Sequence, residues 1–159
     1  MPKVTVKGMT ETVKMLEKIE KDTDEILEET LKKGGGIVTD TMRSELNALK
    51  TSNEYAGGDG KRYASPAEKQ GLLDSLGYTP VKMNGSKFDI NTGFDGYNSN
   101  VTKKYPKGKA NQMIANAINK GTSFLIAQPF INRTRNKAKT DAVETMQKEL
   151  DREIERLTK

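Results

Sequence analysis

Apolar residues recur at helical spacing in three stretches of this chain and at strand spacing in one. Met9, Val13, Leu16 and Ile19 step by four and three, and Leu27, Leu31, Val38, Met42, Leu46 and Leu49 carry roughly the same stripe onward. The pattern predicts an amphipathic helix from Thr10 to Lys50, with Glu17, Glu20, Asp22, Asp24, Glu25, Glu28 and Glu29 on its other faces. Uninterrupted, such a helix would run about 60 Å at 1.5 Å per residue. Gly34-Gly35-Gly36 falls within it. Each glycine costs about 1 kcal/mol relative to alanine in a helix interior, so the triplet predicts a kink or break into two segments, or a point of close helix packing. Ahead of the helix, Val4-Thr5-Val6-Lys7 alternates and predicts a short strand ended by Gly8.

Residues 51–70 carry glycines, a proline, serines and charges with almost no periodicity, and predict a long loop in which Tyr55 and Tyr63 are the large side chains. Leu72–Met83 reads as a strand region. Leu76 and Tyr78 share one face and Val81 and Met83 the other, so the phase changes across Pro80, as a bulge would require. Asn84-Gly85 is the strongest hairpin signal of the chain. Phe88, Ile90 and Phe94 then alternate with polar residues as in a half-buried antiparallel strand. A second polar, basic loop spans 96–109.

The stretch Ala110–Ile131 organises the C-terminal part of the chain. Met113, Ile114, Ala117 and Ile118 make one apolar helical face, Gly121 ends that helix, and Gln128-Pro129 opens another, since proline suits a helix start. Between them Thr122–Ala127, including Phe124, forms an apolar connector too short to bury itself. It must lie against something, and a subunit interface is the favoured partner for this face. Val143, Met146, Leu150, Ile154 and Leu157 step by three and four in a C-terminal amphipathic helix. The fold class is α+β, in one domain over 1–159.

Hydrophobic residues make up 33% and charged residues 31%, with a mean hydropathy of −0.76, lean enough to suggest that part of the chain is ordered by neighbours. There is no cysteine and no histidine, which removes disulfides, thiolate metal sites, the commonest metal ligand and the commonest general base. No apolar signal core or membrane-length run is present, so a soluble protein with no membrane partner is expected. The dense acids lack the spacing of a calcium loop, and Gly57-Gly58-Asp59-Gly60-Lys61 lacks the spacing of a phosphate loop. The expectation is a non-enzymatic protein with no cofactor and no metal.

Charge is unevenly placed. Residues 1–50 are balanced, with nine bases and ten acids. Between Asp95 and Asp141 there is no acid, but there are nine bases: Lys103, Lys104, Lys107, Lys109, Lys120, Arg133, Arg135, Lys137 and Lys139. Such a block favours an anionic partner, nucleic acid or an acidic protein face, or serves as a solvated surface.

Two segments in order, Gln70-Gly71-Leu72-Leu73-Asp74-Ser75-Leu76 and Ala115–Phe130 with its Gly121-Thr122-Ser123 and Ala127-Gln128-Pro129-Phe130, resemble the signatures of the phage head–tail joining and tail-completion proteins. In that family a motif that begins Thr-Gly, continues with Leu and ends Ser-Leu opens a strand, and a helix ending in Gly-Thr is followed by a Pro-Phe pair that begins the last helix. Gln70 stands where the family has threonine, and Asn119-Lys120 where an acidic-aromatic pair is common. The resemblance implies a virion structural subunit of a long-tailed phage or prophage, assembled in the host cytoplasm. It implies a sixfold ring at the head-proximal end of the tail, meeting the head connector or portal adaptor on one side and the tail tube or tail terminator on the other. Loops 51–70 and 96–109 would then be docking arms, and the basic block would face passing DNA or an acidic neighbour. The alternative is a freestanding nucleic-acid-binding protein using Lys103–Lys139.

Overall fold

The computed structural model describes residues 9–52, 60–85 and 87–158, with side chains from residue 20 to 157. Its frame is two long helices, α1 (Met9–Asn47) and α4 (Phe130–Thr158). Lys33 meets Glu149, Gly34 faces Met146, and Glu45 meets Arg133 and Lys137, so partners descend α4 as α1 ascends and the helices are antiparallel. The expected strand at Val4–Lys7 lies outside the described residues.

The glycine triplet does not break α1, which is continuous through it. Close packing is what the triplet provides. A Cβ on Gly34 would lie 2.6 Å from the Met146 sulfur, and one on Gly35 would lie 2.9 Å from a terminal methyl of Ile90. These close approaches, to α4 on one side and to Ile90 on the other, act against the helix-propensity penalty at Gly34 and Gly35. Gly36 meets nothing within 4 Å, and no packing reason for it emerges.

The end of the expected 51–70 loop and the start of the expected strand are instead helix α2 (Pro66–Ser75). Ser65 caps it, accepting from the Glu68 N–H at 3.1 Å while the Glu68 carboxylate accepts from the Ser65 N–H at 2.8 Å. Pro66 follows at the first position, so the start is a complete capping box. From α2, Lys69 donates to the carbonyls of Asn47 and Leu49 and closes the end of α1.

The small sheet is two separate two-stranded antiparallel ladders. β1 (Leu76–Tyr78) pairs with β4 (Thr92–Phe94), and β2 (Lys82–Asn84) pairs with β3 (Lys87–Asp89). Leu76 is opposite Phe94 and Tyr78 opposite Thr92, while Lys82 is opposite Asp89 and Asn84 opposite Lys87. Three residues, Thr79–Val81, therefore stand against two, Ile90 and Asn91. This is the extra residue expected at Pro80, and it divides the second strand at Ile90. Gly85 takes the tip of the hairpin at φ 64°.

Helix α3 (Asn111–Lys120) ends where Gly121, at φ 76°, donates to the Ala117 carbonyl. The core gathers Met42, Leu46 and Leu49 of the α1 end, Ala64, Leu72, Leu76, Ile114, Ala115, Ile118, Leu125 and Phe130. Phe94 meets Phe130 edge to face with centroids 6.1 Å apart. No helix among the described residues is long and apolar enough to cross a membrane.

Candidate interaction surface

The apolar connector lies against the chain itself. Arg62 donates its N–H to the Phe124 carbonyl at 3.0 Å and accepts from the Ile126 N–H at 2.9 Å, so residues 123–127 join the extended segment before α2. Leu125 is buried there. Gln128, also buried, holds the connector to the end of α1. Its Oε1 accepts from the Lys50 N–H at 2.9 Å and its Nε2 donates to the Lys50 carbonyl at 3.0 Å. Pro129 precedes α4 and accepts from the Arg133 N–H, while the Asn119 side chain accepts from the Ile131 N–H.

This placement divides the expected interface residues. Ile114, Ile118 and Phe130 belong to the chain's own core, with Ala117 packed against it, so their side chains are not offered to a partner. The reason is the 60–65 segment and the α1 end, which together cover the face that the short helix alone would leave open. Gly121 and Thr122 form the half-buried turn, with Thr122 Oγ1 accepting from the Leu125 N–H at 3.0 Å. Met113, Phe124 and Pro129 remain exposed. Tyr63 is half-buried beneath the Lys50 ammonium. Tyr55 lies outside the described residues.

The nine bases do not form one patch either. Lys104 and Lys109 both approach the Tyr105 ring, at 5.7 and 5.8 Å, inside a loop closed at its base by the Tyr97–Ala110 bridge. Asn98 accepts there from the Lys109 N–H, and Gly108, at φ 86°, passes too close to the Asn98 carbonyl to carry a side chain. Lys103, Lys107 and Lys120 are exposed.

On α4 the bases take two faces. Arg133 and Lys137, one turn apart, both donate to Glu45, which is 5% exposed. The hydrogen bond from Lys137, then that from Arg133, holds the Glu45 carboxyl below the usual carboxylate range against the opposing effect of burial. Arg135 and Lys139, also one turn apart, line a groove between α1, α4 and the hairpin. Leu31, Val38 and Met42 of α1, Ile90 and Met146 floor this groove of about 410 Å³, and Gly34 and Gly35 deepen it.

Further along α4 the expected apolar stripe only partly faces inward. Val143, Ile154 and Leu157 are exposed, whereas Glu149 and Glu153 are buried beside it. Lys33 at 2.5 Å, then Arg152 at 2.6 Å, keep the Glu149 carboxyl below its ordinary range. Buried glutamates cannot be read from apolar spacing. Long-range partners such as Glu45 and Gln128 leave no local signal.

No family model matches this chain, and neither a curated protein nor a solved structure matches it. Its own geometry is therefore the guide to the surface. Among the described residues no three acids gather as a metal site. The groove offers apolar area and two cations that make no ion pair among the described residues, a combination that suits docking of an amphipathic, acidic protein segment.

Proposed function

We propose that this chain is a non-enzymatic structural subunit of a long-tailed phage or prophage particle, a tail-completion or head–tail joining protein that forms a ring at the head-proximal end of the tail. One observation carries the reading: the two segments that resemble the family's signatures pack into a single core. Leu72 and Leu76 from the first share one buried cluster with Ile118, Leu125 and Phe130 from the second. Gly71 of α2 also passes close to Asn111 at the start of α3, where a Cβ would be 3.7 Å from the amide oxygen. Motifs so distant in sequence that share one packing unit behave as parts of one scaffold.

Quantitative mass spectrometry of purified, nuclease-treated particles tests this. A low copy number, fixed relative to the portal and equal to one ring, is expected. Absence from mature particles would overturn the proposal. The reading as a freestanding duplex binder is weaker, since Arg133 and Lys137 are committed to Glu45 and the other bases are dispersed. It would regain ground if duplex affinity fell steeply with salt.

A further inference from the structure

Two pairs of bases on α4 have the same spacing and different fates. Arg133 and Lys137 close on Glu45. Arg135 and Lys139 flank the groove, both exposed, and neither makes an ion pair among the described residues. The surrounding stretch, 96–140, contains no acid that could serve them. The missing charge is elsewhere in the same chain. Residues 17–29 hold Glu17, Glu20, Asp22, Asp24, Glu25, Glu28 and Glu29 against Lys18 and Lys21 alone. Within this run Glu20 and Asp24 are exposed, stand one turn apart, and make no ion pair among the described residues.

We infer that the groove of one molecule receives the acidic stretch of α1 from a second copy, with Glu20 and Asp24 opposite Arg135 and Lys139. Both pairs repeat at one helical turn, so two helices laid side by side bring both contacts into register. Glu20, Asp24 and Leu27 follow one another by four and three on a single stripe, and Leu27 is only half-buried in its own molecule. The face that carries the acids to the rim therefore carries Leu27 to the apolar floor beside Val38 and Ile90. The dimensions agree. Ile131 to Met146 spans about 22 Å of groove wall, and residues 17–29 span about 18 Å at 1.5 Å per residue.

Made in one direction only, rather than exchanged reciprocally between two molecules, the contact is head-to-tail and leaves each molecule one groove and one acidic helix free for the next, as a ring requires. The inference deepens the ring-subunit reading and takes its setting from it, but the contact is testable without particles. Sedimentation velocity at low ionic strength is run on the whole protein, on Arg135→Glu with Lys139→Glu, on Glu20→Lys with Asp24→Lys, and on the two double variants mixed. Circular dichroism establishes that each is folded. The wild-type chain is expected to self-associate and to loosen with added salt. Each double variant alone should associate roughly a hundredfold more weakly, because like charges then face each other. The equimolar mixture should recover association, since the acidic groove of one accepts the basic helix of the other.

Folded variants that associate like wild type, or a mixture that stays monomeric, would overturn the inference. Loss in the groove variant with none in the helix variant would also overturn it, and would point to another occupant. A wild-type monomer throughout its soluble range would do the same, while leaving the particle stoichiometry, and with it the ring reading, to be decided separately.

Discussion

Adjacent glycines in α1 have unlike surroundings, and the structure separates their roles. Gly36→Ala is expected to stabilise the protein by about 1 kcal/mol, the ordinary helix gain with nothing displaced. Gly34→Ala gains the same propensity but forces a Cβ into the Met146 side chain near its sulfur, and a net loss of about 1–2 kcal/mol is expected. Gly35→Ala falls between, because the Ile90 methyl that it meets can swing away. Urea unfolding of the three variants checks the order. Glu45 gives a second test at this scale. Its folded-state pKa is depressed, so its contribution is present above the unfolded value of about 4.3 and is lost as pH falls through the folded one. Unfolding free energies of wild type and Glu45→Gln should diverge above that range and converge in acid. A gap independent of pH would show that the two cations add nothing through charge. The sequence marked the triplet as special. It could not say which glycine touched what, because the partners lie on other elements.

At the scale of elements, local chemistry was legible where it is self-contained. Asn84-Gly85 turns the hairpin, Pro80 marks the bulge, and Gly121 stops α3, each through its own backbone preference. Helix α2 shows the opposite case. Its ten residues carry almost no amphipathic pattern and bury only Leu72, so periodicity passed over it, although Ser65-x-x-Glu68 was there to be read. Ser65→Ala is expected to cost about 1 kcal/mol, seen as a lower urea midpoint with an unchanged slope. The connector depends on a longer-range tie. Gln128→Ala removes both hydrogen bonds to Lys50 and should cost about 1–2 kcal/mol. Amide exchange should quicken first at Ile126 and Arg62, whose bridge the tie holds in place.

For the molecule as a whole, the α+β class and the order of its long elements came from apolar spacing, since each long helix carries its own stripe. The cover over those stripes did not. Ala110–Ile131 looked like an outward face because the segment that roofs it, around Arg62, sits in a stretch with no pattern of its own. The basic block likewise looked uniform in sequence, yet a helix spreads adjacent bases over different faces, and among the bases of that block only Arg133 and Lys137 find an acid within the described residues. An observable consequence is uneven salt sensitivity. Added salt should weaken association through the groove while changing the melting temperature little, since Glu45 is sheltered and close to its partners. A melting temperature that fell in parallel with association would contradict this division.

The antiparallel pairing of α1 with α4 also orders events during synthesis. Lys50 waits for Gln128, and Glu45 waits for Lys137, so the first long helix leaves the ribosome well before the last helix that pairs with it. Pairing across such separations is slow to nucleate, and an uncovered apolar stripe invites premature association. Like charge on the early turns of α1 opposes such association between nascent chains, so replacing these acids with neutral residues is expected to raise aggregation during refolding, as light scattering would record.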